Sequence, residues 1–215
     1  MGEPGISSGS VVRLPGFSDD NHSVSGYTMP VTDVVARVLV PLPFGDRHIS
    51  WQDAADSPVD GYTRLSSILE RHDQLEAPDG CIDSNTVRRL MKAFVEASGS
   101  GVSQMVGISR VYCEDGLLLA TPLTVESETL RLIQTAQLDL FRVGNVSVFD
   151  AMSAERRRHF PCAVWASDLS WSLATWLYSD SWFFSGSRKA YSAFIATGLE
   201  MYMILRDTEM MAEGD

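Results

Sequence analysis

The segment 161–206 changes from strand-like to helical hydrophobic spacing and back, and this pattern predicts a β-β-β-α-β unit. Ser187 precedes apolar residues at helical spacing, so it is the expected N-cap, and Gly198 stands where a left-handed helix end belongs. We expect this helix, which connects the last two strands, to cover one face of a sheet. The strand-like runs are 161–166, 170–178, 182–184 and 199–205.

The remainder of the chain mixes helical and strand-like patterns less regularly. Helical spacing predicts a helix at 85–97, capped by Asp83 or Ser84, and the Asp-Gly turn at 115–116 predicts a hairpin. The segment 44–60 reads as irregular. Further helices are predicted at 60–72, at 125–137 and after Asp150 or Ser153, and further strands at 36–40, 103–112, 117–121, 140–143 and 146–149.

These elements together predict the α+β class, with a mixed or antiparallel sheet and helices packed on it. Residues 1–28 are rich in Gly and Ser and predict a flexible N-terminal arm. Residues 29–206 are expected to form a single α+β domain, with an internal sub-boundary near 99–101 as the alternative. Residues 207–215 are expected to form an acidic tail.

Aromatic residues are concentrated in the C-terminal unit, which contains four of the five tryptophans. Most of these rings are expected in the core, on both faces of a covered strand. Trp and Tyr also anchor protein interfaces, because one large ring contributes much contact area. One or two of three rings are expected to be exposed anchors, and the sequence does not show which. The candidate partner-binding residues are these rings and an adjacent carboxylate: Trp176, Tyr178, Trp182 and Asp180.

The charge balance is acidic, with 17 Lys and Arg against 28 Asp and Glu and a net charge of −11. Binding to a phosphate backbone requires concentrated positive charge, so nucleic acid is not an expected partner, and neither is an anionic membrane surface. Such a balance is typical of a soluble protein. It also fits an acidic face that steers towards a basic partner.

Cysteine and histidine provide no sign of a metal or disulfide framework. Cys81, Cys113 and Cys162 are far apart and odd in number, which fits structural thiols in the reducing cytoplasm. The four histidines are equally scattered, so no metal and no cofactor is predicted. No apolar run reaches the length of a membrane span, and residues 1–9 do not read as a signal peptide.

Catalytic motifs are not evident, and the nearest candidates have structural interpretations. His159 and Cys162 would act as a nucleophilic pair only if both faced one cavity. Asp168 and Asp180 bracket a predicted strand, which favours turn formation over acid–base work. The arginines at 156–158 fit a solvated helix face. No catalytic residue is therefore predicted.

A further pattern runs through the C-terminal unit as W-x-x-D-x-S-W-x-x-A-T at 165–175, Asp180, S-G-S at 185–187 and G-L-E at 198–200. It resembles the C-terminal region of certain uncharacterised bacterial proteins, some of which accompany immunity proteins of polymorphic-toxin systems. The resemblance covers roughly a quarter of the chain and implies no catalytic residues.

Three functional hypotheses remain open. The first is a non-enzymatic inhibitor of the immunity type, which occludes a basic protein partner such as a toxin through an acidic, aromatic-bearing surface in the bacterial cytoplasm. The second is a small-molecule or nucleotide-modifying enzyme whose site forms only in three dimensions. The third is a structural or assembly subunit of a phage-like particle. The pattern does not fix the oligomeric state.

Overall fold

The computed structural model describes residues 23–78, 83–98, 105–110, 138–143, 163–166, 168–175 and 180–209. Within these ranges, seven strands form one sheet in the order β5-β4-β6-β7-β8-β1-β9, and all of their pairings are antiparallel. The predicted α+β class is confirmed. Strands from both sides of 99–101 belong to this one sheet.

The strands are β1 Val34–Leu39, β2 Leu42–Phe44, β3 Arg47–Ile49, β4 Met105–Arg110, β5 Leu138–Val143, β6 Ala163–Ala166, β7 Trp171–Ala174, β8 Ser181–Gly186 and β9 Met201–Met203. The helices are α1 Trp51–Ala54, α2 Leu65–Leu69, α3 Ser84–Ser98 and α4 Arg188–Ala196, preceded by a 3-10 helix at Val24–Tyr27. Strands β2 and β3 form a separate two-stranded sheet. Among the described helices, none is long and apolar enough to cross a membrane.

Within its described residues, the C-terminal unit follows the predicted order, β6-β7-β8-α4-β9. The Ser187 hydroxyl accepts the backbone N–H of Ala190 at 3.2 Å and caps α4 as expected. Gly198 adopts a φ of 78°, the left-handed conformation that ends a helix and favours glycine. Strand β7 ends at Ala174, four residues before the predicted end, and residues 176–179 lie outside the described ranges.

Helices α3 and α4 pack on one face of the sheet and form the main core with it. The ring of Phe94 stacks on Trp171 with centroids 4.9 Å apart, and Phe194 meets Trp171 edge-on at 5.5 Å. The indole N–H of Trp171 donates to the Ser98 hydroxyl at 2.9 Å, so the ring is buried without leaving its donor unsatisfied. From β1, the even-numbered residues Val34, Ala36 and Val38 face this core.

The predictions for 36–40 and 85–97 are confirmed as elements with shifted ends, Val34–Leu39 and Ser84–Ser98. Asp83 caps α3, since its Oδ1 accepts the backbone N–H of Thr86 at 3.0 Å. The predicted strands 103–112 and 140–143 become β4 and β5, which pair with each other. The predicted hairpin strand and the remaining helices and strand lie outside the described residues: 117–121, 125–137, 146–149 and the helix after Asp150 or Ser153.

Two predictions in the segment 44–72 are wrong. The helix expected at 60–72 is only Leu65–Leu69, because the Asp60 carboxylate accepts the backbone N–H of Tyr62 at 2.9 Å and forms a turn instead. The segment expected to be irregular contains β3 and α1, and β2 ends within it.

Residues 23–28 correct the predicted boundary of the N-terminal arm. Val24 is fully buried and packs with Val35, Phe183 and Ile204 on the sheet face opposite the helices. Its backbone N–H donates to the carbonyl of Thr208 at 3.0 Å. Residues 23–28 therefore belong to the folded structure, and residue 208 of the predicted tail is bonded to them. Residues 1–22 and 210–215 lie outside the described ranges.

Candidate functional site

The predicted partner-binding residues do not form an exposed group among the described residues. Trp182 is only 4% exposed, because it projects from the central strand β8 into the core that α3 and α4 cover. Trp182 is therefore not one of the exposed rings, which corrects its place among the predicted partner-binding residues. Trp176 and Tyr178 lie outside the described residues.

Asp180, the fourth predicted residue, forms a largely buried ion pair with Arg37. The guanidinium donates to both Asp180 oxygens, at 3.1 and 3.2 Å, and the two side chains are 13% and 15% exposed. Arg37 also donates to the Ser181 hydroxyl at 2.7 Å and to the Thr63 carbonyl at 2.7 Å, and it lies over the Trp51 ring. Asp180 thus helps to join β1, β8 and the loop before α2.

Glu200, which is partly buried, makes a second connection to the same region. Its Oε2 accepts the backbone N–H of Trp51 at 2.8 Å, and its Oε1 accepts that of Gln52 at 2.9 Å, so one carboxylate caps the start of α1. The hydroxyl of Tyr202 donates to Oε1 at 3.2 Å. Burial raises the pKa of Glu200, and burial together with the nearby Glu200 charge raises the pKa of Tyr202 to about 12.

These connections hold residues 42–76, which we call the acidic cap, against the sheet. Leu39 of β1 packs into the apolar interior of the cap with Leu42 and Trp51, on the face opposite α3 and α4. Seven acidic residues and three arginines in the cap, all exposed, give it a net charge of −4. The acidic residues are Asp46, Asp53, Asp56, Asp60, Glu70, Asp73 and Glu76.

The helix layer on the other sheet face has the opposite charge. Five exposed basic residues in α3 and α4 stand against one exposed acidic residue, Glu96. The fold therefore separates charge across the sheet, with a basic helical side and an acidic cap. The basic residues are Arg88, Arg89, Lys92, Arg188 and Lys189.

Three exposed apolar side chains lie where the cap meets the edge of the sheet. Tyr62, Met203 and Leu205 are 52%, 63% and 66% exposed, and we call them the apolar patch. The backbone N–H of Leu205 donates to the Tyr62 hydroxyl at 3.0 Å, which fixes the ring beside β9. Asp60 belongs to the same turn, and hydrogen bonds from the Tyr62 backbone N–H and from the Thr63 hydroxyl lower the pKa of its carboxyl.

A close backbone contact holds the Tyr62 turn against β9. A Cβ atom on Gly61 would lie 2.3 Å from Ile204 Cγ2 and 3.3 Å from the Cβ of Tyr202, so only glycine fits between the turn and the strand. The sequence contains a signal for this turn in Asp60-Gly61-Tyr62, but nothing in it places the turn beside residues 203–205.

The described residues contain no group of three or more His, Cys, Asp or Glu side chains arranged to hold a metal ion. Comparison with protein-family models, with curated proteins and with solved structures found no match. The interpretation of this surface therefore rests on its own geometry and charge.

Glu200 gives a testable pH dependence. Because its folded-state pKa is raised above the ordinary value of 4.5, its contribution to stability is fully present below pH 4.5 and is lost as pH rises through the raised value. We therefore expect the wild type to lose stability relative to Glu200→Gln as the pH rises from 4.5 through the raised pKa. Urea unfolding at a series of pH values measures this difference. A pH-independent difference would contradict the assignment, and Glu96→Gln, on exposed α3 surface, is the matched control.

Proposed function

We propose that this chain is a non-enzymatic, inhibitor-type protein that binds a basic protein partner and occludes it with the acidic cap and the apolar patch. The observation that carries the proposal is that Tyr62, an exposed ring of the cap itself, is hydrogen-bonded to exposed Leu205 at the sheet edge, while the cap carries seven exposed carboxylates. Aromatic and apolar anchors surrounded by charged groups are typical of protein interfaces.

The charge separation supports a directed approach of the partner. A partner with positive charge around its active site is attracted to the cap and repelled by the basic helix layer, so it arrives with the cap facing it. Desolvation of the apolar patch then contributes to the lifetime of the complex, since apolar anchors act mainly on dissociation.

The cap is suited to this role because charged side chains bond it to the sheet. Arg37 and Glu200 connect it to β1, β8 and β9 through charge-assisted hydrogen bonds. A surface that does not have to be ordered on binding loses less conformational entropy. In line with the resemblance of the C-terminal unit, we propose a toxin of a bacterial polymorphic-toxin system as the partner, met in the cytoplasm.

The test combines partner capture with matched charge reversals. Tagged protein is used to capture basic proteins from the host lysate, and the association rate of the captured protein is then measured at low and high salt. Glu70→Lys with Asp73→Lys should slow association at low salt by about tenfold, since both residues are exposed on the cap. Asp33→Lys with Glu96→Lys makes the same change of charge outside the cap.

This control variant should retain the wild-type association rate. Equal slowing by both pairs of substitutions would mean that only the total charge matters and would remove the cap from the proposal. Capture of no basic protein would reject the proposed function.

A further inference from the structure

Strand β9 is the last strand on one side of the described sheet, and two of its residues direct their backbone polar groups away from that sheet. The N–H of Leu39 donates to the Glu200 carbonyl, and the N–H of Ile204 donates to the Val35 carbonyl. In an antiparallel pair, directly opposite residues alternate between bonded and non-bonded pairs. Residues 200, 202 and 204 therefore face β1, whereas Met201 and Met203 face outward.

The outward edge is bounded at one end. The next outward N–H, that of Leu205, already donates to the Tyr62 hydroxyl at 3.0 Å. Within the described residues, the outward N–H and carbonyl groups of Met201 and Met203 make no hydrogen bond. Met203 is 63% exposed, whereas Met201 is buried and the Met203 carbonyl lies close to the Gly61 turn. The unpaired stretch of edge is therefore most accessible at Met203, and it ends at the Tyr62 ring. An exposed edge of this kind is a template for pairing with another strand.

We propose that the partner inserts an extended, basic segment that pairs as an additional strand with Met201 and Met203 of β9. This proposal rests on the proposed function and specifies how the same surface is used. In strand addition, main-chain hydrogen bonds give affinity and alternate side chains give specificity.

The two faces of the edge define the chemistry of that segment. On the helix side, the exposed Met203 side chain offers an apolar contact. On the cap side, the exposed carboxylate of Asp60, which accepts the backbone N–H of Tyr62, offers a site for a cationic side chain. Because successive strand residues point to opposite faces, the fitting segment alternates apolar residues with Lys or Arg.

Charge favours this occupant over a second copy of the chain. Two copies paired through β9 would bring two acidic caps, each with a net charge of −4, to the same junction. Like charges at an interface oppose association, whereas a basic segment removes the repulsion.

The experiment uses a synthetic peptide of alternating lysine and valine as the probe, with the alternating glutamate and valine peptide as control. Hydrogen exchange is measured at the amides of Met201, Tyr202 and Met203 in the full chain. The lysine peptide should slow exchange at Met201 and Met203 by about tenfold, the effect of one added hydrogen bond, and leave Tyr202 unchanged because it already faces β1. The glutamate peptide should change none of them.

A proline substitution tests the same edge from the protein side. Met203→Pro removes an outward N–H and no hydrogen bond to β1, so the fold is expected to survive, as proline does on edge strands. It should abolish peptide binding, whereas Met203→Ala, which keeps the N–H, should retain most of it. If Met203→Pro does not fold, a lysine–valine peptide with N-methylated valines replaces it, because that peptide cannot donate to the edge and should not bind.

The outcomes separate this inference from the proposed function. Peptide binding that perturbs the cap without protecting Met201 and Met203 would overturn strand addition and leave an acidic binding surface in place. Protection that rises with protein concentration in the absence of peptide would identify a second copy as the occupant and overturn the inference. No binding of the lysine peptide would also overturn it, while capture of a basic partner that depends on Glu70 and Asp73 would still support the proposed function.

Discussion

Replacing Arg37 with methionine should lower the free energy of unfolding by about 3–5 kcal/mol, the usual cost of removing one partner of a buried ion pair. The substitution leaves the Asp180 carboxylate, which is 15% exposed, without the guanidinium that pairs both of its oxygens. It also removes a donor to the Thr63 carbonyl, which belongs to the loop that leads into α2. The loss should therefore loosen the acidic cap as well as the sheet.

Urea unfolding of the wild type and Arg37→Met measures this cost. Arg71→Met is the matched control, because Arg71 pairs with Asp56 at 3.6 Å on the surface with both side chains exposed. An exposed pair of this kind contributes less than about 1 kcal/mol. Adding Asp180→Asn to Arg37→Met should recover part of the loss, since the buried charge is then removed. Equal costs for Arg37→Met and Arg71→Met would contradict the assignment.

The C-terminal unit is predictable from sequence because residues within it determine where its elements begin and end. Ser187 caps α4 through its own hydroxyl, and Gly198 ends the helix in a left-handed conformation, so both ends depend on residues within the element. The core side of α3 is likewise a continuous helical stripe that includes Leu90 and Phe94. Such elements can be predicted from local sequence alone, because the residues that define them lie within them.

The cap could not be predicted in the same way, because distant residues determine its structure. Helix α1 has only four residues, and its first two backbone N–H groups are bonded by Glu200, almost 150 positions later in the chain. Strands β2 and β3 have three residues each, too few for a hydrophobic period to show. A local pattern carries none of this information.

The candidate site lies at residues that the sequence did not single out. The exposed aromatic ring of the proposed site is Tyr62 of the cap, whereas Trp182 of the aromatic-rich segment lies in the core. The sequence shows which aromatic and charged residues are present, but it does not show on which face of the sheet each of them lies. The separation of the acidic cap from the basic helix layer exists only once β1 has helices on one face and the cap on the other.

Trp182→Ala should mainly lower stability, and Tyr62→Ala should mainly lower affinity for the partner. The two variants therefore distinguish a core ring from a surface ring. Trp182 is 4% exposed in the core formed with α3 and α4, so its truncation leaves a cavity and should cost about 3–5 kcal/mol of unfolding free energy. Tyr62 is 52% exposed, and its truncation loses mainly the hydrogen bond from Leu205, a cost of about 1 kcal/mol.

Binding to the captured partner should reverse that order. Tyr62→Ala should weaken the complex by about tenfold or more, because a central aromatic anchor of an interface typically contributes more than about 1 kcal/mol. Trp182→Ala, measured at a temperature where it remains folded, should bind with the affinity of the wild type. Calorimetric titration together with thermal unfolding checks both variants. A large loss of affinity in folded Trp182→Ala would contradict the cap as the binding surface. It would indicate instead that the partner binds at the aromatic-rich segment.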